Sequence, residues 1–145
     1  MAVQQASNLS NKPFILAGAG YQKAGKFAQI GARSGDIEYG TVVSYAPATG
    51  LWHPFRSAGG TDGTQTPKGI VLATIAEAAL KAGDVDDIPV LIGNALIDSE
   101  QLVVENSLTL ATVITVPTNC AQNVEDALRN VGIFVTTTID TTETA

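Results

Sequence analysis

The stretch YGTVVSYAPATGLWHPF, residues 39–55, constrains the fold more than any other part of the chain. Its first half is dense in β-branched and aromatic residues, which suit a pleated, half-buried surface. Pro47-Ala48-Thr49-Gly50 then supplies turn chemistry, and Leu51 to Phe55 can return as the partner strand. The segment therefore predicts a β-hairpin. Pro54 has no N–H to give to a ladder, which restricts the second strand to an edge or an early end.

Similar punctuation runs through the rest of the chain. Gly69 to Ile75 reads as a buried strand, and Ala76 to Ala82 as a short helix closed by Gly83. Ile88 to Ile97 reads as a strand interrupted at Gly93, and the alternating apolar positions of residues 102–116 suggest one or two more strands before Pro117. Thr118 or Asn119 can cap a helix running through Asn130, with Leu128 and Val131 facing inward and Gly132 just past its end. Ile133 to Val135 makes a last strand. Upstream, Phe14 to Ala17 makes a short strand, and Gly18 to Gly35, carrying Lys23, Lys26 and Arg33, reads as an extended or looped basic surface.

The expected fold class is mainly β with minor helices: one compact β-rich domain over residues 17–138, a flexible N-terminal arm over residues 1–16 and a loose tail over residues 139–145. Residues 1–12 are rich in Gln, Asn and Ser, with few apolar anchors to offset the entropy of ordering. A single domain of 145 residues buries about two thirds of its unfolded surface. Charged residues make up only 15% of the chain, against roughly a quarter in soluble proteins generally, which suggests that partners cover part of the surface.

The net charge of −6 hides a split: residues 1–68 hold six basic and three acidic side chains, residues 69–145 two basic and eleven acidic. An acidic chain neutralises phosphates poorly, so direct binding of nucleic acid is not expected. Cys120 and His53 are each the only residue of their kind, which excludes an intrachain disulfide and a zinc site built from Cys and His. The N-terminus lacks a basic start followed by an apolar core. No apolar run reaches the roughly twenty residues that span a bilayer. The expectation is a protein soluble and intracellular when made, with no membrane partner.

Several segments imitate chemical motifs. Residues 20–26, GYQKAGK, have the spacing of a phosphate-cradling loop, and Lys26 would be its lysine. Phe27 then stands where Ser or Thr should hold magnesium, and Gly31 and Gly35 interrupt the helix that must follow. Asp98, ending ALID, could imitate the strand-ending carboxylate of such nucleotide-hydrolysing enzymes. Asp84, Asp86 and Asp87 resemble a calcium loop, except that Pro89 sits where that loop needs Gly. His53 has no nucleophile elbow to serve, and Cys120 near a helix start has no His close in sequence. Neither catalysis nor a cofactor is expected.

Contact is the better reading of the remaining features. The loop in GGTDGTQTPKGIVL, residues 59–72, offers Asp62 and backbone groups but no nucleophile. Its glycines allow close approach of a partner, with Asp62 bracing the turn, so Trp52, Thr61, Asp62 and Gly63 are candidate subunit or partner contacts. Seven of the eight aromatic residues lie between Phe14 and Phe55. Trp52, with Tyr45 and Phe55, could form a stacking platform for carbohydrate or a host receptor.

Four segments taken in order resemble the lambda-type head decoration proteins of tailed bacteriophages: YGTVVSYAPATGLWHPF, GTDG with PKGIVLATI, IPVLIGNALID and ALRNVGIFV. The similarity spans residues 38–136, and the sequence departs from the pattern in its longer basic, Gly-spaced segment before Tyr39. The resemblance implies a β-tulip-like, β-rich domain forming homotrimers on the outer surface of the expanded head. Such proteins sit at local three-fold positions, clamp the major capsid protein against the pressure of packaged DNA, and use no cofactor. On this reading residues 1–16 make the main shell contact, with Asn11, Lys12, Pro13 and Phe14 as candidate capsid-binding residues, and Lys23, Lys26 and Arg33 of the departing segment add polar contacts.

Overall fold

Three adjacent apolar pairs, Val42-Val43, Ile70-Val71 and Val90-Leu91, are fully buried, and the two members of each pair enter different cores. Because successive side chains of a strand point to opposite faces, this requires strands covered on both sides. A computed structural model, which describes residues 13–56, 63–114 and 122–136, shows how that is achieved.

The strands are β1 (Ile15–Ala17), β2 (Tyr21–Phe27), β3 (Val42–Ala46), β4 (Leu51–Pro54), β5 (Pro67–Val71), β6 (Val85–Gly93), β7 (Ala95–Asp98) and β8 (Ile133–Thr136). Helix α1 (Glu77–Ala82) precedes β6, a single 3-10 turn (Ser99–Gln101) follows β7, and helix α2 (Val124–Asn130) precedes β8. Five strands close a barrel in the order β2-β4-β3-β5-β6, and β1-β7-β8 form a second sheet. The molecule is thus mainly β, as expected.

Each barrel strand contributes one buried residue to the interior: Phe27, Val43, Trp52, Val71 and Val90 pack together, with Ile37, Ile75 and Leu80 of α1 completing the cluster. Val42, Ile70 and Leu91 face outward into a second core shared with Phe14, Phe55, Ala95, Ile97, Ile133 and the inner face of α2. The long β2–β6 pairing, from Tyr21 opposite Gly93 to Phe27 opposite Val85, closes most of the barrel wall. The remaining seam is short, since β2 meets β4 in parallel through Phe27 and Trp52 alone.

The predicted hairpin is present. β3 and β4 pair antiparallel from Val43 opposite Pro54 to Ala46 opposite Leu51, and Gly50 takes φ +73° in the turn, where its N–H bonds the Ala46 carbonyl. β4 ends at Pro54, and α1 ends at Gly83, as the sequence suggested. The interruption near Gly93 is real: Asn94 at φ 52° separates β6 from β7 and sends the chain from barrel to second sheet. Gly132, at φ +88°, links α2 to β8.

The basic segment Gly18–Gly35 is extended in part, with Tyr21–Phe27 forming a barrel strand. Two expectations are corrected. Phe14 to Leu16, expected in the N-terminal arm, belong to the body: Phe14 is buried, Asp98 N–H bonds its carbonyl, and β1 pairs with β7, while residues 1–12 lie outside the described residues. Residues 102–114 form no strand beyond single bridges at Val103 and Val113. Asn106 and Ser107, both at positive φ, turn the chain there, while Leu102, Val104, Leu108 and Leu110 still pack against the core. Their alternation records one-sided burial of an irregular segment rather than a ladder. Asn123 caps α2 in a capping box with Asp126, whereas Thr118, Asn119 and Cys120 lie outside the described residues.

Trp52 fits the barrel because strands on either side of it carry glycine. A Cβ on Gly25 would lie 2.7 Å from Trp52 Cδ1, and one on Gly69 would lie 3.5 Å from Cζ3 and 2.6 Å from the Leu91 carbonyl oxygen. Gly25→Ala should therefore destabilise by about 1–3 kcal/mol through overpacking. A lowered denaturant midpoint followed by Trp52 emission would show it.

Candidate functional site

The residues singled out for contact separate into buried, committed and free groups. Among the expected capsid-binding residues, Pro13 is exposed, but Phe14 is buried with its ring edge-on to Tyr39 at 5.5 Å. Phe14 is therefore an anchor that fixes where residues 1–12 join the body. Asn11 and Lys12 lie outside the described residues, as do Thr61 and Asp62 of the candidate contact loop. Gly63 stands at φ +101°, and a Cβ there would strike the Tyr45 carbonyl oxygen. The close approach that its glycine permits is thus to the chain's own hairpin.

Burial also removes the proposed aromatic platform as drawn. Phe55 is fully buried, Trp52 is 6% exposed, and Tyr45 is half-buried against Trp52 with ring centroids 5.2 Å apart. The alternation of β4 directs Trp52 into the barrel and away from the surface that a stacking platform needs. What reaches the surface is a shallow opening of about 270 Å³ at one barrel mouth, lined by Lys23, Tyr45, Trp52, Lys68 and Ile92. Lys68 was missed as a site residue, because nothing in its own stretch of sequence shows that it reaches the mouth beside Lys23.

The imitated chemical motifs dissolve into structural roles. The segment GYQKAGK overlaps β2 instead of preceding a helix, and Lys26 pairs with Asp86 at 3.4 Å. Asp98 is fully buried and caps the 3-10 turn, accepting from Glu100 N–H and the Gln101 amide. Asp84 accepts from the Gln29 backbone N–H at 2.8 Å, so the acidic run braces the chain that follows β2. Among the described residues, no three His, Cys, Asp or Glu side chains gather as metal ligands would.

Arg33 lies in a cleft of about 360 Å³ with Gln29, His53, Arg56, Glu105 and Asn106. Its guanidinium holds both oxygens of Glu105 and also donates to the carbonyls of Gly35 and Asp36. Only 14% of either charged side chain is exposed. The Glu105 hydrogen bond raises the Arg33 pKa above its ordinary value. This bidentate pair ties the segment after β2 to the Glu105–Leu108 turn, so Arg33 is a brace within the fold rather than a free contact. Arg56 is likewise engaged, donating to the buried Thr64 hydroxyl at 3.0 Å.

Next to this pair, a loop caps a helix from 41 residues away: Asp36 accepts from Glu77 N–H at 2.8 Å, while Glu77 accepts from Gly35 N–H. Ala76, the residue at the cap position, has no side chain for the purpose. The Gly35 hydrogen bond first, then Lys81, hold the Glu77 carboxyl below its ordinary value. A depressed folded-state pKa means stability that is complete above the ordinary glutamate range and is lost as pH falls through the lowered value. Glu77→Gln should flatten the acid side of the stability profile, as measured by denaturant midpoints between pH 7 and pH 3. Comparison with protein-family models, curated proteins and solved structures finds no significant match to this chain.

Proposed function

We propose that the protein is a head decoration protein of a tailed bacteriophage, made in the host cytoplasm and carried on the outer surface of the virion capsid. The reading takes it to bind the major capsid protein as a homotrimer at local three-fold positions and to stabilise the expanded head against internal DNA pressure. No reaction is assigned to it.

The observation that carries this reading is the placement of the four segments that resemble the family. They contribute the β3–β4 hairpin, β5, the successive strands β6 and β7 and the α2–β8 unit, which contact one another as the frame of a single body. A pattern that falls largely on such elements is what a shared fold would leave in a sequence, although GTDG, residues 60–63, lies almost wholly outside the described residues. The segments that depart from it, such as Gly18–Gly35, are where attachment to a particular shell can vary.

Two surfaces support assembly. Phe14 pins the chain beside β1, an edge strand, at the point where the polar residues 1–12 join the body. A polar segment can add to an exposed sheet edge on the shell through main-chain hydrogen bonds. Ordering one such arm costs free energy, but three arms joined in a trimer bind with an avidity roughly 10² to 10⁴ above a single attachment. On the second sheet, Phe134 is 49% exposed and stands opposite half-buried Leu96, leaving an apolar outer face suited to a second copy.

Deleting residues 1–12 should abolish binding to undecorated expanded heads while leaving a folded trimer, measured by co-sedimentation and sedimentation velocity. Full occupancy by the truncated protein would overturn the arm's role, and a strictly monomeric protein that ignores such heads would overturn the function. Phe134→Asp should shift the trimer towards monomer without lowering the thermal midpoint of the monomer fold.

A further inference from the structure

Cations are scarce in this chain, and their engagement is uneven. Lys26, Arg33, Lys81 and Arg129 each pair with a carboxylate. Arg56 is engaged with Thr64. Lys23 and Lys68 are both exposed, and neither meets a carboxylate at ion-pair distance among the described residues. In a chain with fourteen acidic and eight basic residues, these two come together at the same barrel mouth, on β2 and β5, with Ile92 of the intervening β6 between them.

We propose that this mouth is a binding site for an extended acidic peptide segment of another protein, one apolar side chain seating on Tyr45 and Ile92 while flanking carboxylates meet Lys23 and Lys68. The chemistry follows from the lining. Tyr45 and Ile92 are half-buried and supply apolar contact, and Trp52 closes the floor. At about 270 Å³ the opening falls below the roughly 300–1,000 Å³ of pockets that enclose small molecules. A segment lying across the rim can present one carboxylate to each lysine.

Nucleic acid is the competing occupant, and the geometry disfavours it. Single-stranded binding needs an open aromatic face for base stacking. The Trp52 indole is instead packed between Gly25 and Gly69 and is only 6% exposed. The net charge of −6 adds long-range repulsion to any polyphosphate. A peptide carries fewer charges, so two local lysines can offset that field.

The proposal does not depend on the capsid reading and is tested on the free, full-length protein. Trp52 is the only tryptophan, so its emission reports on the mouth directly. The probe is a blocked octapeptide of alternating Asp, Glu and Leu, compared with its Asn/Gln counterpart, a ten-residue oligothymidylate and inorganic phosphate. The acidic peptide should shift Trp52 emission saturably. The amide counterpart and phosphate should not, and raising salt should weaken the response. Lys23→Gln with Lys68→Gln should lower the affinity at least tenfold, with an unchanged circular dichroism spectrum and thermal midpoint showing that the fold persists. No response to the acidic peptide, an equal response in the double variant, or tighter binding of the oligothymidylate would each overturn the proposal. Attachment to phage heads is read separately, so a failure here leaves that question distinct.

Discussion

The architecture depends on strands that are dry on both faces. Val42-Val43, Ile70-Val71 and Val90-Leu91 each send one side chain into the barrel and the next into the space beneath the second sheet. A one-residue slip in any of these strands would exchange the two sets and leave both cores mismatched. Register is therefore specified twice, from inside and outside. The small second sheet is held in place by the same residues that define the barrel wall, which is how three short strands and a seven-residue helix find a stable seat.

Surface chemistry follows from that economy. Half of the eight aromatic side chains are consumed by packing: Phe14, Phe27, Trp52 and Phe55 are all buried. Those left outside are Tyr21, Tyr39 and Phe134, on different elements. The charged groups are similarly spent on joining segments, with Arg33–Glu105 and the Asp36–Glu77 cap fastening the stretch between β2 and β3 to distant parts of the chain. What remains available for contact is a few sites set on rigid strands, suited to recognition by shape and charge.

How much of this was legible in the sequence varied with the range of the interaction. The β3–β4 hairpin, α1 with its Gly83 stop, and the Gly93 break were readable because turn residues and local periodicity determine them within a few positions. Strand β2 was not, since YQKAGKF shows no apolar alternation and becomes a strand only because β6 offers it a ladder and Trp52 needs the space above Gly25. The 102–114 segment misled in the other direction, showing strand periodicity while pairing only at the single bridges Val103–Thr41 and Val113–Asn123. Site residues fared likewise. Lys23 was picked out for its charge, but its neighbourhood with Lys68 comes from barrel closure, and Arg33 was picked out as free because Glu105 is 72 residues away.

The seam between β2 and β4 has a mechanical meaning. A hoop yields at its shortest joint, and here that joint is one residue pair, Phe27 with Trp52, reinforced by the Ala28 N–H to Trp52 carbonyl bond of 3.1 Å. Hinging there would unroll the barrel into an open sheet while every antiparallel ladder stayed intact. The same residue that makes this joint also packs its indole into the bore, so seam and interior meet at Trp52.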